Sequence, residues 1–318
     1  MIKAYFDWNI IAKYRDYYLK KDSSASTYGL IREAITNGQI ATYYSDAHIL
    51  DILPLSAQSQ YTDLDLKAIS LITGDAYLAY DSISKYWEFQ RVNPSDVFDN
   101  LRENYHFHCD FESILGDCGF LERHVKEFLS NITLPVNKQM IEENYPSDLL
   151  GFMKHMIAQN NEAISNSKFY RSRRNNFVDQ LNNHQPYRKK LSGSTEDKLL
   201  VFIELYIAIT KAAPKMFEDR LSHILGVFML LDQVHLWTDS KFKNLQVDAM
   251  HAFYATHSSI RYLVTNDKNM IMKSKLAYLC LGLPIQVVCF SDFATILSDI
   301  TRSRILTINS NKCAVICP

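Results

Sequence analysis

The sequence predicts an α/β fold, with a central, mostly parallel sheet of about four to five strands covered by helices and interrupted by a large all-helical insertion. Three observations predict it. Short β-branched or aromatic runs, each closed by polar residues, occur at 2–6, 40–44, 261–265 and 285–289. Apolar residues at three- and four-residue spacing separate these runs at both ends of the chain, and alternation of strand with helix marks a parallel sheet. From about 80 to 237, by contrast, the chain is polar, rich in helix formers and almost free of strand-like runs.

In chain order, IKAYF (2–6) ends at Asp7, and helical patterns follow at 10–20 and 27–37. IATYY (40–44) ends at Ser45 and Asp46 and leads into helices at 46–52 and 62–73. Within the insertion, STEDKLLVFIELYIAI opens a helix that Ser194 or Thr195 can cap, with Glu196 or Asp197 favouring its first turn. Pro214 divides it from a helix over 215–237, while NNHQP (182–186) and SGS (192–194) read as exposed loop. A helix over 247–258, the strand RYLVT (261–265), a helix over 268–281 and the strand IQVVC (285–289) complete the pattern. The expected division is therefore 1–79 and 238–318 as two halves of one α/β domain, with 80–237 as the insertion.

Composition narrows the function classes. Of 318 residues, 47% are hydrophobic and 22% charged, enough to bury a substantial core. A formal charge of -1 and a pI near 6.8 give no global positive field, so an anionic partner must be held by a local patch. Charged or polar residues break every apolar run before it reaches membrane-spanning length, and a cytoplasmic location with no membrane partner is expected. The six cysteines contain no CxxC pair, and HFHCD (His106, His108, Cys109) has no second ligand pair at zinc-site spacing. GxGxxG, GxxxxGK[ST] and GxSxG are all lacking, and neither tail cysteine stands fourth from the end as a Caax signal requires.

Carboxylates carry the chemical signal. Asp7 follows the first strand, where a parallel sheet opens its ligand crevice, although a strand-ending Asp also serves as a helix cap. After the second strand come Asp46 and, a turn and a half later, Asp51, whose neighbours Ile49, Leu50, Ile52 and Leu53 make a bare carboxylate costly. Asp248 opens a helix with the small residues Ala252 and Ala255 on one face, and Asp267 closes the strand that ends Thr265-Asn266-Asp267. Four convergent carboxylates repel one another and need a cation. Mg²⁺ or Mn²⁺ suits an all-oxygen set and serves phosphoryl chemistry.

This arrangement resembles the PIN-domain nucleases over residues 1–75 and 245–295. Asp7-Trp8-Asn9, the Ser45-to-Asp51 spacing, Asp248-Ala249-Met250-His251-Ala252 and Thr265-Asn266-Asp267 match that family's four acidic segments in order. The resemblance implies a PIN-like three-layer fold and a metal-dependent endonuclease that cleaves phosphodiester bonds, chiefly of single-stranded RNA, with metal-activated water as nucleophile. DNA is a second substrate class. It implies metal ligation by Asp7, Asp51, Asp248 and Asp267, with Asp46 the alternative to Asp51. Asn9, Ser45, Thr265 and Asn266 would orient water, carboxylates or phosphate, while His48 and His251 stand behind the ligands. A toxin or phage-defence role, a neutralising or activating protein partner and an oligomer belong to the same expectation. The alternative is a non-cleaving PIN-like scaffold that binds RNA or protein.

Two departures stand out: the second acid is Asp where the family more often has Glu, and the insertion is far larger than in compact members. Lys168, Arg171, Arg173 and Arg174, then Tyr187, Arg188, Lys189 and Lys190, mix basic with aromatic side chains and are the candidate strand-binding residues.

Overall fold

The computed structural model describes residues 1–56, 61–81, 84–109, 190–212, 219–239 and 242–300. Four strands form one parallel sheet: β1 (Ile2–Phe6), β2 (Ile40–Tyr43), β5 (Tyr262–Val264) and β6 (Gln286–Val288), in the order β2-β1-β5-β6. Tyr5 lies beside Tyr43 on one flank and Leu263 on the other. The chain leaves β1 for β2 on one side, and the sequence-distant β5 pairs on the other. The carboxyl end of β1 is therefore the point where strand order reverses, and a crevice opens there.

Side-chain alternation along the strands feeds two apolar cores. Ala4 and Phe6 of β1, Ile40 of β2, and Tyr262 and Val264 of β5 face one layer. That layer contains α1 (Trp8–Tyr18), α2 (Gly29–Thr36), α4 (Thr62–Thr73), α5 (Pro94–Cys109) and a final helix, α10 (290–300). Tyr5, Tyr43, Leu263 and Val287 face the other. It is formed by α6 (Thr195–Ala212), α7 (Arg220–Gln233), α8 (Phe242–Tyr254) and α9 (Lys268–Cys280). Helix α3 (Asp46–Ser56) sends Ala47 to the second core and Ile49 and Ile52 to the first. Helices on both faces of a parallel sheet make the fold a three-layer α/β arrangement.

The four expected strands and the helices around them are present, with ends shifted by a few residues, and Ser194 caps α6 by accepting from Asp197 N at 3.2 Å. The all-helical reading of the chain beyond residue 80 is corrected by an antiparallel hairpin, β3 (Ala76–Asp81) with β4 (Tyr86–Arg91). The alternation of Trp87 and Phe89 with Glu88 and Gln90 favours a strand exposed on one side. Tyr44 bridges to Tyr77 and joins the hairpin to β2. Val227, Phe228 and Leu231 of α7 share a core with Leu263 and Met270, so α7 packs directly on the sheet layer.

Ala249 and Ala252 of α8 and Ala255 just after it are fully buried, and α8 packs against α3 and α7. A methyl is all that this face admits. Ala252→Leu is expected to cost about 1–3 kcal/mol through overpacking, measured as a fall in urea-unfolding free energy; unchanged stability would show that the face has slack.

Candidate metal centre

Asp7 leaves β1 directly into α1, and its carboxylate is fixed from three sides. Oδ1 accepts from Trp8 N at 2.7 Å, while Oδ2 accepts from Thr265 Oγ at 2.7 Å and from the Asn9 amide. Thr265, fully buried, also accepts from Asn9 Nδ2 at 2.9 Å and from Asp267 N at 3.1 Å. Asn9 Oδ1 in turn accepts from Asn266 N at 3.0 Å. Asn9 and Thr265 thus latch the end of β1 to the end of β5 and hold Asp7 in one orientation.

Asp51 from α3 and His251 from α8 meet Asp7 there. His251 Nε2 is 2.8 Å from Asp51 Oδ2 and 3.7 Å from Asp7 Oδ1. One ligand atom from each of Asp7, Asp51 and His251 lies within 4.8 Å of the others, so the three can hold a metal ion together. The Asp51 side chain remains 24% exposed while that of His251 is 1% exposed, so the cluster opens to solvent past Asp51.

Behind His251 lies a buried polar chain. Tyr5 Oη stands 2.7 Å from Ser45 Oγ, 3.0 Å from His251 Nδ1 and 3.3 Å from His48 Nδ1. His48 Nδ1 accepts from Ser45 N at 3.1 Å, so its proton sits on Nε2, which donates to the Phe6 carbonyl at 2.7 Å. Burial, then the neighbouring His251, drives the His48 pKa well down, so it stays neutral. His251 goes the other way. Burial alone lowers its pKa, but the hydrogen bond and charge of Asp51, with the charge of Asp7, raise it overall. Burial, aided by Asp51, holds Asp7 above the usual carboxylate range against the opposing effect of His251. Without metal, an imidazolium between two carboxylates is the cation of the site.

A second charged group flanks it. Lys273 of α9 is fully buried, pairs with Asp239 and lies 5.6 Å from the centre of the Phe228 ring. Burial first, then the charges of Asp7, Asp239 and Asp267, push the Asp248 pKa well up, and Lys273 opposes them. Lys273 offsets part of the negative charge that the acids accumulate.

The expected residues divide accordingly. Asp7 and Asp51 come together; Asp248 and Asp267, expected as the remaining ligands, lie outside the three-residue cluster. Asp267 is exposed and caps α9, accepting from Met270 N at 3.0 Å. Asp46 accepts from Tyr77 and, at 3.1 Å, from Tyr254, which directs it away from Asp7. Ser45 does not orient phosphate, because it is fully buried against Tyr5. Asn266 donates to Tyr28 Oη at 2.8 Å and accepts from Phe290 N at 3.0 Å, bracing loops rather than facing Asp51. Lys190 pairs with Glu204 at 2.7 Å. Lys168, Arg171, Arg173, Arg174, Tyr187, Arg188 and Lys189 lie outside the described residues, as does the tail after residue 300.

Tyr5, Asp239 and Lys273 escaped the sequence reading, and His251 was placed behind the ligands rather than among them. Signals existed. Tyr5 shares a strand face with Asp7, two residues away. Lys273 falls between Met270 and Ala277 on the buried stripe of α9, where a lysine needs a partner.

Comparison of the chain with family models, with curated proteins and with solved structures gives no match. Among the described residues, no helix is long and apolar enough to cross a membrane.

Two substitutions test this reading. Tyr5→Phe strands the Ser45 hydroxyl and His251 Nδ1 and is expected to lower stability by about 1–3 kcal/mol in urea unfolding. Lys273→Met leaves Asp239 buried without its cation and is expected to cost about 3–5 kcal/mol. A neutral effect of Lys273→Met would mean that its ion pair does not hold the acids together.

Proposed function

We propose that this chain is a divalent-metal-dependent nuclease of the PIN-like kind, acting on single-stranded RNA. The observation that carries the reading is the meeting of Asp7, Asp51 and His251 at the strand-order switch of a parallel sheet. The order of acidic segments along the chain supports it further. The reading departs from an all-carboxylate site in one respect, the imidazole. An N/O donor set moves preference from Mg²⁺ towards first-row transition ions, of which Mn²⁺ best tolerates carboxylate ligands.

The residues fit such an ion chemically. Asp7 presents an anchored carboxylate, Asp51 an adjustable one at the solvent edge, and His251 Nε2 points between them. A divalent ion bound there supplies an activated water and neutralises phosphate charge. Thr265 and Asn9 keep Asp7 from turning as substrate arrives. Tyr5 aligns His251 by its hydrogen bond to Nδ1, and when Nε2 gives up its proton the imidazole can keep a proton on Nδ1, facing the Tyr5 oxygen. Tyr5 then donates to Ser45, so the buried chain stays satisfied in either state. Lys273 limits the negative charge that repels an approaching phosphate.

The proton and the ion compete for His251, which fixes the sign of the pH dependence. The raised His251 pKa stabilises the metal-free fold fully below its ordinary value of about 6.5, and the contribution is lost as pH rises through the folded value. The raised Asp7 pKa acts in the same direction, because ionising it is harder in the fold than in the open chain. The rise in melting temperature produced by Mn²⁺ is therefore expected to be larger near about pH 8 than near about pH 6. Equal shifts at both would contradict competition at His251. Asp7→Asn should lose the shift, whereas Asp267→Asn, which keeps its helix cap, should retain it.

The activity test is cleavage of labelled single-stranded RNA, structured RNA and DNA in Mn²⁺, Mg²⁺ and EDTA, with Asp7→Asn as control. Metal-dependent cleavage of single-stranded RNA that disappears in Asp7→Asn is the expected outcome. Absence of cleavage of every polymer by folded, Mn²⁺-loaded protein would refute the proposal.

A further inference from the structure

A cavity of about 300 Å³ lies between the β3–β4 hairpin, the start of α7 and the end of α8. Tyr80, Trp87 and Phe253 line it with aromatic surface, and Lys85 and Arg220 line it with positive charge. Phe253 stands two residues beyond His251 on α8, so the two side chains leave the helix on different faces and its body separates cavity from metal centre. The cavity belongs to a different site.

Its rings are ordered as a cluster. Trp87 stacks on Phe253 at 4.9 Å and 25°, and Tyr80 meets Phe253 edge-on at 4.8 Å. Trp87 and Tyr80 remain half-buried, whereas Phe253 is buried beneath them. Arg220 is held by its hydrogen bonds to the Thr256 carbonyl at 3.0 Å and hydroxyl at 3.2 Å. Lys85 is exposed in the hairpin turn with φ 54°. Asp219, which also lines the cavity, caps α7 by accepting from Ser222 N at 2.8 Å and from the Ser222 hydroxyl and Leu221 N, and its charge faces Lys85. His223 contributes a further ring, oriented by Tyr206 Oη at 2.6 Å from its Nε2.

We infer that this cavity binds a nucleoside phosphate, with the base against Trp87 and Tyr80 and the phosphate between Lys85 and Arg220. The volume stands at the lower end for small-molecule sites, as suits one nucleotide unit. Aromatic rings beside cations are what a nucleotide needs: a π-face for the base and charge-assisted donors for the phosphate. The unit can be a free nucleotide or one residue of a single strand, since both present the same base, sugar and phosphate.

The test uses the full chain in EDTA, where the metal centre plays no part. Tryptophan fluorescence is followed while AMP, inorganic phosphate or a short single-stranded oligoribonucleotide is added. Saturable quenching by AMP supports the site with a free nucleotide as its source, and saturation by the oligonucleotide alone supports it with a strand as its source. In either case, Lys85→Glu, at an exposed turn, should weaken binding by about tenfold or more, and Trp87→Leu should remove most of the quenching signal. Phosphate binding as tightly as AMP, saturation by neither nucleotide probe, or binding unchanged in Lys85→Glu overturns the inference. Because Lys85→Glu leaves Asp7, Asp51 and His251 intact, its Mn²⁺-induced melting shift should match that of the unaltered chain, which separates failure here from failure of the nuclease reading.

Discussion

The structure depends on keeping a buried carboxylate, Asp7, at the junction of two parallel strands. The residue is only 5% exposed, yet it stands where β1 and β5 release their chains in opposite senses of the strand order. A charge there is tolerable only with strong hydrogen bonds and a compensating cation. Thr265, Asn9 and the Trp8 amide supply the first requirement. His251 supplies the second in the metal-free protein, and a divalent ion can take its place. Much of the surrounding architecture serves this one arrangement: Tyr5 and His48 fill the space behind His251, and the alanine face of α8 brings it close to α3.

Lys273 extends the same logic to the other flank. Asp7 at the end of β1, Asp239 after α7 and Asp267 at the cap of α9 add their fields at Asp248, and a lysine with no exposed surface answers them. Its ammonium pairs with Asp239 and lies 5.6 Å from the centre of the Phe228 ring, so one residue serves core packing and charge balance together. The layer that contains the helices of residues 190–237 is for this reason integral to the site: Lys273 is buried against α7, and Asp239 follows it.

The strands at 2–6, 40–44, 261–265 and 285–289 were legible because a buried parallel strand has to be apolar on both faces and must end at a polar turn. Asp7 stood out by its place at the end of the first strand, and Asp51 because a carboxylate in apolar surroundings advertises its cost. What the sequence hid is three-dimensional. Asp267 spends its carboxylate on a helix cap while His251 turns inward from the last turn of α8, a difference decided by the packing of α8 on α3 rather than by the linear order. The hairpin at 76–91 was obscured by the charged residues on its solvent face, although its aromatics alternate. Lys273 looked like one more surface lysine, and only its spacing from Met270 and Ala277 marked it as buried.

Asp7, Asp51 and His251 are placed so that they can hold a divalent cation together. Anomalous diffraction from crystals of the full chain soaked in MnCl₂ at mildly alkaline pH, where a proton competes less for His251 Nε2, tests this site. One strong manganese peak is expected at coordination distance from carboxylate oxygens of Asp7 and Asp51 and from His251 Nε2, with Tyr5 still bonded behind the ring. A manganese ion bound elsewhere, or an ordered site in which His251 stays hydrogen-bonded to Asp51 and no peak appears, would contradict it.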